Sequence, residues 1–231
     1  MNRALTVARL QFVAWPLVVG WPWGILALSF FINLALFTAM REPIEAEPTT
    51  GGLLSIYIVM LVACITTITQ DFPFAIGLGV SRRSFYLGNV LQFGAQAISY
   101  AAVLYLLAVT EEATGGWGIG LRFFGLPFLL VEHPVLRFLG FAIPFLLLGF
   151  LGMAIALVFK RWGVNGMLTL GTLSLVVFGG AAVLASWRGW WPAIGEWFAD
   201  QSGAALLVGY PALLAIPLAI VSWLIIRRAT P

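Results

Sequence analysis

The sequence predicts an all-α integral membrane protein of six transmembrane helices, with both termini on the cytoplasmic side. Three observations carry that expectation. The composition is 61% hydrophobic and 9% charged with a mean hydropathy of +1.02, well away from the balance of a water-soluble domain. Apolar stretches at about 17–40, 52–70, 85–110, 135–159, 164–187 and 204–226 have uncharged interiors, and crossing a bilayer core takes about 20 helical residues. The cations divide unevenly between the two sets of loops that these stretches define. One set holds Arg3, Arg9, Arg82, Arg83, Lys160, Arg161, Arg227 and Arg228, the other only Arg41, Arg122, Arg137 and Arg188. The cation-rich side is the cytoplasmic one.

Taken in order, residues 1–15 read as an amphipathic helix on the membrane surface: Asn2, Arg3, Thr6 and Arg9 fall on one face, and Leu5, Ala8, Phe12 and Trp15 on the other. The first span follows. A short acidic loop from Arg41 to Thr50 carries Glu42, Glu45 and Glu47. The second and third spans flank the one long cytoplasmic loop, 71–88. In it Phe72-Pro73-Phe74 should stop a helix, Gly77 and Gly79 allow a turn, and Ser81 caps the next helix ahead of Arg82 and Arg83. Segment 111–134 has a best apolar run of 118–131 that is too short to cross and contains Arg122, so it reads as an external interfacial or re-entrant cap. The fourth and fifth spans meet at the basic turn Lys160-Arg161-Trp162-Gly163. Segment 188–203, with Trp190, Trp191, Ile194, Trp197 and Phe198 at helical spacing, forms a second external cap rich in interfacial aromatics. Pro144, Pro211 and Pro217 are expected to kink or locally break their helices.

The absences narrow the chemistry. Ion-coupled carriers place ionisable groups at depth, and the span interiors have none. The only lysine, Lys160, is followed by Arg161 rather than Ser or Thr, so the chain holds no Walker A loop. Any ATP would be bound by another polypeptide. One cysteine, Cys64, excludes an intrachain disulfide, and the net charge of +3, confined to span ends, argues against nucleic-acid binding. Glu132 and His133 with Glu111 and Glu112 have donor types that suit zinc, against the plainer reading of a solvated acidic outer loop. No catalytic residue, resident cofactor or metal is expected.

Two polar stripes remain. Asn89, Gln92, Gln96 and Ser99 share a face of the third span, and Asn165, Thr169 and Thr172 a face of the fifth. Either they hydrogen-bond between helices, or they line a path for an amphipathic substrate. Thr66, Thr67, Thr69 and Gln70 pose the same choice. Small residues at Gly20 and Gly24, Gly152 and Ala156, and Gly166 and Gly171 suit close helix approach, within the chain or across a dimer.

The run Gly79-Val80-Ser81-Arg82-Arg83-Ser84-Phe85, within the stretch from Phe74 to Gly88, resembles the coupling segment of the type-two ABC permease family, the membrane subunits of ABC exporters; the outer turn Thr114-Gly115-Gly116-Trp117-Gly118 does so more loosely. The resemblance implies a plasma-membrane protein, as in a bacterial inner membrane. It implies a second copy or a related permease as partner, and a cytosolic ATPase that carries Mg-ATP. Phe72, Phe74, Leu78, Ser81, Arg82, Arg83 and Phe85 would contact that ATPase, and Trp190, Trp191, Trp197 and Phe198 would form an external gate. The segment between spans three and four is longer than the family pattern. The expected activity is ATP-driven export of an amphipathic or hydrophobic small molecule or peptide. A substrate-binding membrane subunit of a vitamin-uptake system, or a membrane scaffold or assembly factor, would fit the same composition.

Overall fold

The computed structural model describes residues 19–39, 50–126 and 133–228, which are almost wholly helical and contain no strand. The expected surface helix 1–15 and the acidic loop around Glu42, Glu45 and Glu47 lie outside these residues. The helices are α1 (Trp21–Ala39), α2 (Leu54–Gly77), α3 (Arg82–Ala113), α4 (Pro134–Arg188), α5 (Trp191–Asp200) and α6 (Tyr210–Ile226). A 3-10 turn, Gly51–Leu53, leads into α2, and π-helical turns at Gly116–Gly120 and Ala205–Gly209 follow α3 and precede α6. Among the described residues five helical segments are long and apolar enough to cross a membrane, so the chain has the make-up of a multi-pass membrane protein.

One of those five is α4, 55 residues long. At 1.5 Å per residue a straight helix of that length would reach about 80 Å, far beyond a core of about 30 Å. It is not straight. Gly163 sits at φ 62, ψ −150, outside helical space and open only to glycine. A β-carbon placed on Gly166 would meet the Trp162 side chain and lie 3.4 Å from the Val158 carbonyl oxygen. Residues eight apart along one helix are separated by about 12 Å, so the chain doubles back at Gly163. The first half, 134–162, and the second, 164–188, are two helices joined at a glycine.

The first half of α4 is the centre of the bundle. Gly152 lets α2 approach so closely that an added β-carbon would be 3.0 Å from Cys64 Cβ and 3.3 Å from the Leu61 carbonyl, and Gly149 accommodates the Phe93 ring of α3. Tyr57 stacks on Phe145 at 4.3 Å and donates its hydroxyl to the Phe141 carbonyl at 3.1 Å. Tyr100 meets the same Phe145 edge-on at 5.4 Å. From the other side Ser222 of α6 donates to the Phe150 carbonyl. Pro144 lies within this half and Pro217 within α6, and both helices continue through them. The helix is continuous from Ala205 to Ile226, so Pro211 lies inside it, directly after the π-helical turn 205–209 that locally breaks the regular ladder where the proline supplies no N–H.

The expected cytoplasmic loop is the main difference from the sequence reading. Phe72-Pro73-Phe74 does not stop α2, which runs to Gly77, and α3 begins at Arg82. Most of 71–88 is therefore helix, and only residues 78–81 form a turn. Proline costs a helix one hydrogen bond and a local clash. The neighbouring helix positions pack regardless, since Phe72 and Ala75 are buried.

Candidate functional site

The 78–81 turn is built by two opposed caps. At the end of α2, Gly79 takes φ 77; its N–H bonds to the Ile76 carbonyl at 2.9 Å, and the Val80 N–H to the Ala75 carbonyl at 3.0 Å. This is a Schellman stop, which needs a left-handed residue where glycine bears no steric penalty. At the start of α3, Ser81 Oγ accepts from the Ser84 N–H at 3.1 Å. Below the turn Phe72 and Phe85 meet at 5.3 Å with essentially no exposure. These two rings cannot also touch a partner, so the expected contact set divides. Phe72 and Phe85 hold the turn from inside, while Phe74, Leu78, Ser81, Arg82 and Arg83 are displayed on its surface. Arg82 donates to the Arg227 carbonyl at 3.3 Å, and Tyr86 to the Ala219 carbonyl at 3.0 Å, tying the turn to the end of α6. The result is a short rigid knob with two cations and two exposed apolar side chains.

The two polar stripes have different fates. Asn89 and Gln96 are buried, Asn89 donating to the Phe85 carbonyl of its own helix at 2.9 Å and Ser99 to the Gln96 carbonyl at 3.1 Å. Gln92 faces Thr67 across a void of about 10 Å³ that is also lined by Ala63, Cys64, Ile68, Asn89, Phe93 and Gln96. Thr67 Oγ1 and Gln92 Oε1 find no partner among the described residues. Such a void is of the size of one water; Asn89, Gln92 and Gln96 line it, while Ser99 of the same stripe is exposed. Thr66 and Thr69 bond back to carbonyls of their own helix, those of Val62 and Ile65. Asn165, Thr169 and Thr172 of the second half of α4 are all exposed, and Thr169 donates to the Asn165 carbonyl at 2.8 Å.

At the opposite end of α3 lies a feature that the sequence reading treated as solvated. Glu111 is buried at 2% exposure. Its carboxylate accepts from Trp117 Nε1 at 2.8 Å and from three consecutive backbone N–H groups: Phe123 at 2.9 Å, Phe124 at 3.0 Å and Gly125 at 2.7 Å. Successive N–H groups turned to one point form an anion nest. The chain returns to it through left-handed residues, among them Gly116, where a β-carbon would lie 2.7 Å from the Leu121 nitrogen. Phe123 and Phe124 then pack on Phe30 of α1 at 5.3 and 5.5 Å. The neighbouring Glu112 pairs with Arg137 at 2.8 Å. The solvated acidic loop is thus corrected for Glu111, whereas Glu112 stays exposed and carries an ion pair. With both oxygens of Glu111 engaged by N–H donors, the carboxylate organises the 114–126 segment and offers no ligand atom. His133 is exposed, Glu132 lies outside the described residues, and no metal-binding group of three is found among those described.

The aromatic segment expected as an external cap is α5. Gly189 ends α4 at φ 66, with the Trp190 N–H on the Ala185 carbonyl at 2.8 Å, and Trp191 Nε1 donates to Ser186 Oγ at 2.9 Å. Trp190, Trp191, Trp197 and Phe198 are each about half exposed. Trp197 leans on Tyr210, whose hydroxyl donates to Gln201 Oε1 at 2.8 Å. Compared with protein-family models, curated proteins and solved structures, the chain matches none.

Proposed function

We propose that this chain is the membrane-spanning permease subunit of an ATP-driven ABC exporter, working as a pair of permease subunits with separate cytosolic ATPases that bind Mg-ATP. The observation that carries the reading is the capped 78–81 turn, which displays Phe74, Leu78, Arg82 and Arg83 at the tip of two long apolar helices. A turn that transmits force must not give way. Two caps, the Phe72–Phe85 contact and the Arg82 bond to α6 supply that stiffness. ATP-driven closure of the ATPases would push the turn, and α2 and α3 would carry the motion through their packing on the first half of α4. The cargo would be an amphipathic or hydrophobic small molecule or peptide. Its path would lie between two copies, where Asn165, Thr169 and Thr172 are exposed to meet it, and α5 with its tryptophans would gate the outer side.

The reading takes six spans with both termini inside a plasma membrane, the two halves of α4 crossing in opposite directions. The reversal at Gly163 supports this count. So does the gathering of Arg82, Arg161, Arg227 and Arg228 at one end of the bundle.

The test is co-expression with the ATPase encoded nearest to this chain, purification through a tag on the permease, and an assay of vanadate-sensitive ATP hydrolysis. The expected result is stoichiometric co-purification, with association and activity lost in the Arg82→Glu/Arg83→Glu variant. Normal ATPase binding by a variant that is inserted and correctly oriented would overturn the contact role. No association of the unaltered chain in mild detergent would overturn the permease reading itself.

A further inference from the structure

Beside the turn, and separate from the residues assigned to the ATPase, a groove of about 540 Å³ runs between the Gly163 reversal and the last turns of α6. It is lined by Arg161 from α4 and, from the end of α6, by Val221, Leu224, Ile225, Arg227 and Arg228, so that three cations and three aliphatic side chains share one groove. Among the described residues none of the three arginines has a carboxylate partner. Two are steadied by aromatic faces: Arg161 lies 4.4 Å from the Trp162 ring and Arg227 5.9 Å from that of Trp223. Such contacts hold a guanidinium in place without neutralising it. Val221 and Leu224 are exposed although they belong to a helix apolar enough to cross a membrane. They lie along α6 one to two turns before Arg227 and Arg228, on the apolar side of those cations.

We infer that this groove binds an anionic phospholipid, its phosphate between Arg161, Arg227 and Arg228 and its acyl chains along Val221 and Leu224. The argument is one of amphiphilic complementarity. A free phosphate or nucleotide would use the arginines and leave the aliphatic side chains bare, and a neutral lipid would use the aliphatic side chains and leave three cations uncompensated. An anionic lipid satisfies both, in the geometry by which basic pockets between membrane helices take such headgroups. Arginine suits the task because its planar fork meets phosphate oxygens in pairs. The bound lipid would bridge the start of the second half of α4 to α6.

The experiment is native mass spectrometry of the full chain, delipidated in detergent and titrated with phosphatidylglycerol or phosphatidylcholine of the same acyl chains, with inorganic phosphate as competitor. The variants are Arg161→Gln/Arg227→Gln/Arg228→Gln and, as a control at another cation, Arg188→Gln. Removing a cation at an anionic surface weakens binding about fivefold, so the triple variant should lose affinity on the order of a hundredfold. Preferential phosphatidylglycerol adducts, lost in a triple variant that remains monodisperse and kept in Arg188→Gln, are the expected result. A single change, Arg228→Gln, keeps the test decisive if the triple variant misfolds, and should weaken binding about fivefold. Equal binding of the two lipids, adducts unaffected in Arg228→Gln, or displacement by millimolar phosphate would each overturn the assignment. The isolated chain is used, so failure here leaves the ATPase-coupling test untouched.

Discussion

The two halves of α4 are similar in apolar character and opposite in surroundings. In 134–162, Gly140, Phe141, Ala142, Phe145, Gly149, Gly152, Met153, Ala154, Ala156 and Leu157 are buried; in 164–188, only Ala185 is. Leu175 and Phe178 are each 74% exposed, and Trp187 81%. Hydropathy cannot account for this, because both halves would dissolve equally well in lipid. What separates them is where the small residues fall. Gly149 and Gly152 stand opposite Phe93 and Cys64, so neighbouring helices close on them, whereas Gly171, Gly179 and Gly180 have nothing within 4 Å. Apolar side chains give no preference for protein over acyl chains in a bilayer, and close backbone approach decides association. The second half is left with a largely exposed apolar surface.

That contrast makes the sharpest predictions paired ones. The largest effect expected is at Phe145, which is fully buried between Tyr57 and Tyr100. Phe145→Ala should cost about 3–5 kcal/mol of stability in detergent, while Phe178→Ala in the second half should change it by less than about 0.5 kcal/mol. Equal losses in thermal unfolding would erase the distinction. Next comes overpacking. Gly152→Leu places atoms against the Leu61 backbone and should destabilise by about 1–3 kcal/mol or more, against little or no effect of Gly171→Leu on the monomer. Should Gly171→Leu instead break a dimer, the second half would be a contact between copies.

A third pair moves the comparison to the other end of the bundle. Glu111→Gln turns one of two acceptor oxygens into a donor that faces N–H groups, at a cost of about 1–3 kcal/mol, and should open 117–125 to proteolysis. Glu112→Gln weakens an ion pair whose glutamate is 37% and whose arginine is 11% exposed, but leaves an amide oxygen to accept from Arg137, so it should cost less than Glu111→Gln. Comparable protease sensitivity in the two variants would contradict the cradle.

Much of the fold is legible in the sequence because span length and end signals are local. Ser81 before Arg82 marks a boundary that α3 respects, and the expected stretches 135–159 and 164–187 fall within the two halves of α4. Other features are not local. Pro73 reads as a stop, yet Phe72 and Ala75 are held in the core and α2 continues through it to Gly77. The exposed and buried members of the turn cannot be told apart by type, since Phe72 and Phe74 are the same residue two positions apart on a helix, one at 0% and one at 61% exposure. The Glu111 cradle escapes reading for a different reason: its donors are backbone N–H groups of Phe123, Phe124 and Gly125, which no side-chain pattern spells. Its one legible sign is the string of glycines around Trp117, a chain able to turn back on itself.

The coupling proposal stands or falls on sidedness. It needs the 78–81 turn and the Gly163 reversal on the cytoplasmic face, and both ends of α4 on the other. The most direct measurement is labelling of single cysteines, in a Cys64→Ala background, by a membrane-impermeant maleimide on sealed, oriented vesicles. Cysteines in place of His133 and Arg188 should react from the outside, and those in place of Arg83 and Arg161 only after the membrane is opened. Opposite reactivity at His133 and Arg188 would make α4 a single crossing and contradict the account.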